Sequence, residues 1–318
     1  YRPTFSKMVK HDTVSKRKSD AEVYQLIAAT MIPIILGQTF YQISAVIDDM
    51  MFSNMMVGRD ISKSIANDLG NFNSSYSLLI GIPQGNFSSS YSLLIGIPQG
   101  VASAMSASML PSIVASYSES KERQICSKIT STLKTNMLIA VPSFVGLVIL
   151  GQPIIQLLFA RYDSAQGAMM LKLGAVAVIF YTFSTVTSSA LQGIDKMNVP
   201  VKHSSISLVV HIVLVYILLR FSRLGIYAIV IGNATFPILI FILNIRALHR
   251  YIGFRINYIK IFAAPCICSI IMGVAVALTY KFMFTITANN IVSLIVSFII
   301  AGISYFGPMY ICKKKHLI

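Results

Sequence analysis

Apolar residues in this chain gather into eight long runs, at about 23–56, 90–117, 129–150, 166–191, 199–220, 225–247, 261–284 and 290–312, separated by short polar or charged stretches. An α-helix needs roughly 20 predominantly apolar residues to cross a bilayer, and each run is long enough. The pattern predicts an all-α polytopic membrane protein with about eight transmembrane helices. The first run is over-long and contains Pro33 and Gly37, which predicts a kink or tilt there. The third is followed by a short apolar tail, Pro153 to Phe159, too short to span and expected to lie at the interface or to cap the helix.

Composition agrees with this pattern. Hydrophobic residues make up 55% of the chain and charged residues 12%, against about 25% charged in a soluble domain. Mean hydropathy is +0.71, so the core is expected to be buried against lipid and neighbouring helices. The formal net charge of +15 invites a nucleic-acid reading, but the basic residues sit in short loops between apolar runs, as membrane topology demands. Nucleic acid is therefore not an expected partner. The leader, the loops 118–128, 192–203 and 246–260, and the C-terminus together hold 18 Lys and Arg residues, whereas the alternate loops hold 6. This asymmetry predicts that both termini are cytoplasmic. Residues 1–22 form a basic arm too charged for a signal peptide. The chain opens on Tyr1 rather than Met, which suggests a fragment of a longer protein.

A tandem repeat interrupts the first outer loop. Residues 71–85 and 86–100 are identical except that Asn73 becomes Ser88. Near-identity points to a recent duplication or an assembly error, not a structural repeat family. The second copy runs into Val101–Tyr117 and is expected to be the helix proper. The first holds too few apolar residues to span and is expected to be external or re-entrant.

Of the eleven acidic residues, nine lie in the leader or between runs. Only Asp48 and Asp49 lie within one, where an ionisable side chain usually faces a bundle interior or a water-filled path. At about 100° per residue, Gln38, Gln42, Asp49 and Ser53 share one stripe, and Tyr41, Ser44 and Asp48 share its neighbour. This polar sector is expected to turn away from lipid, with Asp48, Asp49, Gln38 and Gln42 as cavity or ion-coupling residues. The plainer alternative is a solvated pair at a helix end. No phosphate-binding glycine motif is present, and no catalytic or metal-ligating set is visible, so the chain is not expected to be an enzyme or to hold a metal or cofactor. His211 is the only mid-span histidine, read as packed against a helix partner. The four cysteines are read as packing thiols. The small-residue stretches Val101–Met109 and Ser184–Ala190 are read as close helix contacts, with a polar cavity wall as the alternative.

Several stretches occur in a familiar order: Met109-Leu-Pro-Ser-Ile-Val-Ala-Ser-Tyr-Ser-Glu119, Pro142-Ser-Phe-Val-Gly146, Leu150-Gly-Gln-Pro-Ile-Ile-Gln-Leu-Leu-Phe159, Leu191-Gln-Gly-Ile-Asp-Lys-Met-Asn-Val-Pro200, Leu224-Gly-Ile-Tyr-Ala228 and Tyr251-Ile-Gly-Phe254. The set resembles the polysaccharide-exporter branch of the multidrug/oligosaccharidyl-lipid/polysaccharide flippase superfamily. The nearest likeness is to stage V sporulation protein B and its relatives, cousins of the lipid II flippase. The resemblance covers about residues 20–318. It implies a MATE-like flippase fold in which this chain supplies the seventh to fourteenth helices. Residues 23–250 would form a six-helix second lobe, residues 261–318 a final pair with a basic tail, and residues 1–22 a cytoplasmic arm or inter-lobe loop.

By the same resemblance, Asp48 stands where relatives carry an aspartate near the end of their seventh helix. The implied cargo is a lipid-linked cell-envelope saccharide. Lys134, Lys172, Arg220 and Arg223 are candidates to attract its pyrophosphate, and a coupling ion would be Na⁺ or a proton. Membrane lipids and a separate first lobe, or a second copy, are the implied partners. Two alternatives stay open: a cation-coupled multidrug exporter with Asp48 and Asp49 taking up the ion, and a truncated membrane protein that does not transport.

Overall fold

A computed structural model describes residues 31–32, 35–36, 39–40, 42–52, 54–55, 90–159, 164–222 and 224–314, with side chains as far as 311. The basic arm, the first repeat copy, Gln38 and Arg223 lie outside the described residues. All regular structure among the described residues is helical: α1 (42–52), α2 (Ser92–Ser118), α3 (Glu122–Leu158), α4 (Ser164–Gly174), α5 (Val176–Gly193), α6 (Asn198–Phe221), α7 (Tyr227–Ile252), α8 (Tyr258–Thr287) and α9 (Asn290–Lys314).

Six of these helices are long and apolar enough to cross a membrane: α2, α3, α6, α7, α8 and α9. The bent pair α4 and α5, which meet at 44° across Ala175, makes a seventh candidate span. The run at 166–191, read from the sequence as one span, is thus a broken one. The Pro153–Phe159 tail is a correction of a different kind. It is not a separate interfacial piece, because α3 continues through Pro153 to Leu158 as one 37-residue helix. At 1.5 Å per residue α3 is about 55 Å long, well beyond the roughly 30 Å of hydrocarbon. A side chain from another helix helps there, since Asn290 Nδ2 donates to the Pro153 carbonyl at 2.9 Å.

Local sequence explains several helix ends. Gly253 adopts a left-handed φ of 64° and closes α7, its N–H bonding to the His249 carbonyl; glycine meets this conformation without a Cβ penalty. Asn257 starts α8 by accepting from the Lys260 N–H. Asn289 starts α9 by accepting from the N–H groups of Ile291 and Val292, so a two-residue turn makes α8 and α9 an antiparallel hairpin.

Packing builds two cores. In the larger one α7 lies against α5 and α6, α5 against α2 and α3, and α2 against α3. Its fully buried members include Phe52, Tyr91, Ile113, Leu133, Met170, Phe183 and Ile229. The smaller core joins the α8–α9 hairpin to α3 through Leu150, Cys268, Met272, Val276, Leu294 and Tyr305. Burial ranks the spans: 56% of the most apolar window of α7 is buried, against 22% for α9, so α7 is central and α9 peripheral. The small-residue stretches serve packing, since Ala102, Ser106 and Met109 of α2 and Ser184, Thr187 and Ala190 of α5 are buried. Hydroxyls there turn onto their own helices, Ser106 onto the Ala102 carbonyl at 2.7 Å and Thr187 onto that of Phe183 at 2.7 Å. In this way their polar atoms are satisfied without water.

Candidate functional site

The helical spacing of α1 places Ser44, Asp48 and Phe52 on one face, and all three are buried, whereas Gln42 and Asp49 are exposed. The neighbouring stripe, and not the Gln38–Asp49 stripe, is therefore the inward one over the described residues. Phe52 anchors that face in the larger core. Asp48 then meets α6. His211 Nε2 stands 2.9 Å from Asp48 Oδ1, with the two side chains 1% and 2% exposed. One hydrogen bond joins the two side chains; Nε2 donates it when Asp48 is ionised, and a protonated Asp48 carboxyl would donate to Nε2 instead.

The ring is held on two further sides by α7. Phe236 meets it edge-on, with ring centroids 5.8 Å apart. Gly232 lies under it, where an added Cβ would come within 2.9 Å of Cε1 and 3.2 Å of Nδ1. Only glycine permits that approach of α7 to the imidazole. His211 Nδ1 itself has no hydrogen-bond partner among the described residues, and neither does Ser207 Oγ, one turn earlier on α6.

Beside the pair lies a pocket of about 110 Å³ lined by Ser44, Tyr91, Gln99, Tyr181, Asn233 and Phe236, among others. Ser44 precedes Asp48 by one turn and Phe236 packs on His211, while Asp48 and His211 themselves are not among the lining residues. Tyr91 OH donates to Asn233 Oδ1 at 3.4 Å across it.

A second polar knot ties α5, α6 and α7 together further along. His203 Nδ1 donates to Asn244 Oδ1 at 2.7 Å, and Asn244 Nδ2 donates to Ser188 Oγ at 2.8 Å. Asn244 is fully buried, and these bonds satisfy its amide. The four candidate phosphate-binding cations are not drawn together: Lys134 is half-buried on α3, Lys172 and Arg220 are exposed on α4 and α6, and Arg223 lies outside the described residues. Among the described residues no three His, Cys, Asp or Glu side chains converge as a metal site.

His211 is the residue that reading the sequence set aside. The signal was present in a weak form: one mid-span histidine and one pair of carboxylates within a run, each needing a partner that its own helix does not supply. What the sequence lacks is any mark that these two, 163 positions apart, are each other's partner.

Comparison with known proteins places the chain. Residues 4–298 match the model of the family described as lipid II flippase MurJ. The chain is 23% identical over 222 residues to the probable lipid II flippase MurJ of Bdellovibrio bacteriovorus, a match covering 66% of this chain and 42% of that protein. It is 24% identical over 180 residues to the lipid II flippase MurJ of Bacillus subtilis, covering 55% of this chain and 32% of that one. These matches span less than half the length of either relative. In fold the chain is similar to a solved lipid II flippase MurJ in an inward closed conformation, with a TM-score of 0.63 at 18% identity, covering 99% of this chain and 60% of that one. The sequence match across nearly the whole chain means that it belongs to the lipid II flippase MurJ family.

Proposed function

We propose that this chain forms the second lobe and final helix pair of a flippase that carries a lipid-linked peptidoglycan precursor, or a closely related saccharide lipid, across the cytoplasmic membrane. The observation that carries the reading is the family match over residues 4–298. The helical spans support it, as does a buried carboxylate–imidazole pair of the kind found along ion and proton paths in membranes. In this reading residues 23–250 are the lobe, 261–318 the closing pair, and both termini are cytoplasmic, as the 18-to-6 division of basic residues implies. A first lobe, on a separate stretch of chain or in a second copy, completes the cavity. The finer placement beside stage V sporulation protein B rests on the ordered motifs alone. Asp48 is the coupling residue, and Asp49 and Gln42 on the exposed side of α1 face the cavity with Gln38. Lys134, Lys172, Arg220 and Arg223 act on the pyrophosphate.

The test is reconstitution. The chain is placed in vesicles carrying a lipid-linked saccharide, alone and with the first half of a family member, and appearance of the sugar on the opposite leaflet is followed with a membrane-impermeant reagent. Flipping that requires both pieces supports the reading. No flipping in either arrangement, with the pieces folded and associated, overturns it.

A further inference from the structure

Acidic residues do not accompany the basic ones along the whole of this chain. None of the eleven lies beyond Asp195, while Lys and Arg continue to the C-terminus. Three loops that the charge asymmetry places on one side of the membrane differ accordingly. Loop 118–128 sets Lys121, Arg123 and Lys128 against Glu119 and Glu122, and loop 192–203 sets Lys196 and Lys202 against Asp195. The corner at 246–260 carries Arg246, Arg250, Arg255 and Lys260 with no acidic residue at all. Topology alone does not ask for that, because Lys and Arg orient a membrane protein and Asp and Glu contribute little. All four side chains are exposed. Among the described residues none of them has a carboxylate within ion-pair distance.

The fold presents these cations on a fixed corner. Arg246 and Arg250 stand one turn apart on the same face at the end of α7. The chain then turns at Gly253 and is pinned on both sides of it. Ile252 and Phe254 are buried, and Cys126 Sγ of α3 donates to the Ile252 carbonyl at 3.8 Å. Arg255 follows, between Phe254 and an Ile256 that packs against the larger core. Asn257 caps the first turn of α8 through the Lys260 N–H. A further cation is kept beside the corner, since Lys196 Nζ stands over the Tyr251 ring, 5.4 Å from its centroid. The same turn of α8 leaves Tyr258 54% and Ile259 78% exposed. An exposed isoleucine and tyrosine next to a lysine suit the boundary between headgroups and acyl chains. They do not suit the watery surface on which a soluble acidic protein would dock.

We propose that the corner where α7 passes into α8 binds an anionic glycerophospholipid of the surrounding membrane, with Arg246, Arg250, Arg255 and Lys260 holding the headgroup and Tyr258 and Ile259 lying against its acyl chains. A guanidinium presents its N–H groups as a fork that matches two phosphate oxygens, and each basic residue near an anionic surface adds to the attraction. A zwitterionic lipid brings its own cation to the phosphate and is held less well. The corner joins the larger core to the α8–α9 hairpin, so a lipid bound there braces that joint. The site is independent of what the chain transports.

The experiment titrates the full chain in detergent with phosphatidylglycerol or with phosphatidylcholine of the same acyl chains, and counts bound lipid by native mass spectrometry. Phosphatidylglycerol is expected to bind more tightly. Arg250→Gln with Arg255→Gln should weaken its binding about thirtyfold. Arg123→Gln with Lys202→Gln removes the same charge from the other two loops and should leave the preference in place. Equal binding of the two lipids overturns the proposal. So does an equal loss in the two double variants, which would mean diffuse attraction and no site. Soluble polyglutamate that displaces phosphatidylglycerol from the wild-type chain, and does not bind the Arg250/Arg255 variant, overturns it in favour of an acidic protein partner. The wild-type comparison stands by itself if a variant does not fold, and there the preference should vanish as NaCl approaches about 1 M. No saccharide lipid is involved, so failure here leaves the flippase reading standing.

Discussion

Two regions of this molecule solve burial in opposite ways. Around α1, α6 and α7 the interior holds a carboxylate, an imidazole and an amide, each tied to a named partner on another helix. Around α3, α8 and α9 the interior is mostly apolar, with the buried hydroxyls of Ser293 and Ser297 turned onto their own helix and that of Ser269 without a partner among the described residues. A cavity of about 390 Å³ opens there between Pro98, Pro142, Leu150, Val276 and Phe306. A single hydroxyl, Tyr305 OH, crosses to the Leu138 carbonyl at 2.8 Å. Polar burial needs one geometry, because an unmatched charge or donor is costly. Apolar burial has no directional requirement and constrains the geometry through shape alone. Glycines show where each region is tight and where it is open: Gly273 of α8 has Val145 Cγ1 2.8 Å from where a Cβ would stand, as close as His211 comes at Gly232, and the cavity side of α9 is open. Gly232 has the His211 ring and Val215 against it, whereas Gly302 has nothing within 4 Å of where a Cβ would stand.

The largest expected effect comes from breaking the polar region at its pair. Asp48→Leu leaves the His211 N–H buried without its acceptor and should destabilise the protein by about 2–3 kcal/mol, read from unfolding in detergent. Asp48→Leu combined with His211→Leu should recover more than half of that loss. Equal losses in the single and double variants would mean that the pair does not organise its region. Next comes Gly232→Ala, expected to cost about 1–3 kcal/mol by overpacking against His211 and Val215. Its counterpart Gly302→Ala should do the reverse and stabilise by about 0.5–1 kcal/mol through helix propensity. If both glycine variants shift the melting temperature in the same direction, the contrast fails.

The smallest effect belongs to the exposed pair outside both regions, Glu119 with Lys121 at 2.6 Å. The ammonium beside it holds the Glu119 carboxyl below its usual range. A depressed pKa contributes stability above the unfolded value and loses it as pH falls through the folded one. Glu119→Gln should therefore shift the melting temperature least of these variants at neutral pH, and not at all once the solution is acidic enough to protonate the wild-type residue.

Legibility in the sequence divides along the same line. The spans beginning near residues 90, 199, 225, 261 and 290 were visible as apolar runs, because the bilayer demands uninterrupted length from each helix separately. The bend at Ala175 and the continuation of α3 through Pro153 were not. Both are features of the folded helices that an apolar run does not record, and the Pro153 carbonyl meets Asn290 of α9 only in the packed structure. Asp48 stood out because a carboxylate within an apolar run is costly wherever it is. His211 did not, since a histidine is neutral or charged according to its neighbours.

The sequence by itself determined the class, the placing of most spans, the charge asymmetry between their loops, and the carboxylates that need an explanation. All of these follow from transfer of single segments between water and lipid, a property of local composition. Only the tertiary structure decided which of Asp48 and Asp49 turns inward, that His211 answers it, and that Gly232 makes room for the ring. These depend on contacts between different helices, 163 positions apart for Asp48 and His211, and no local pattern encodes which helix meets which.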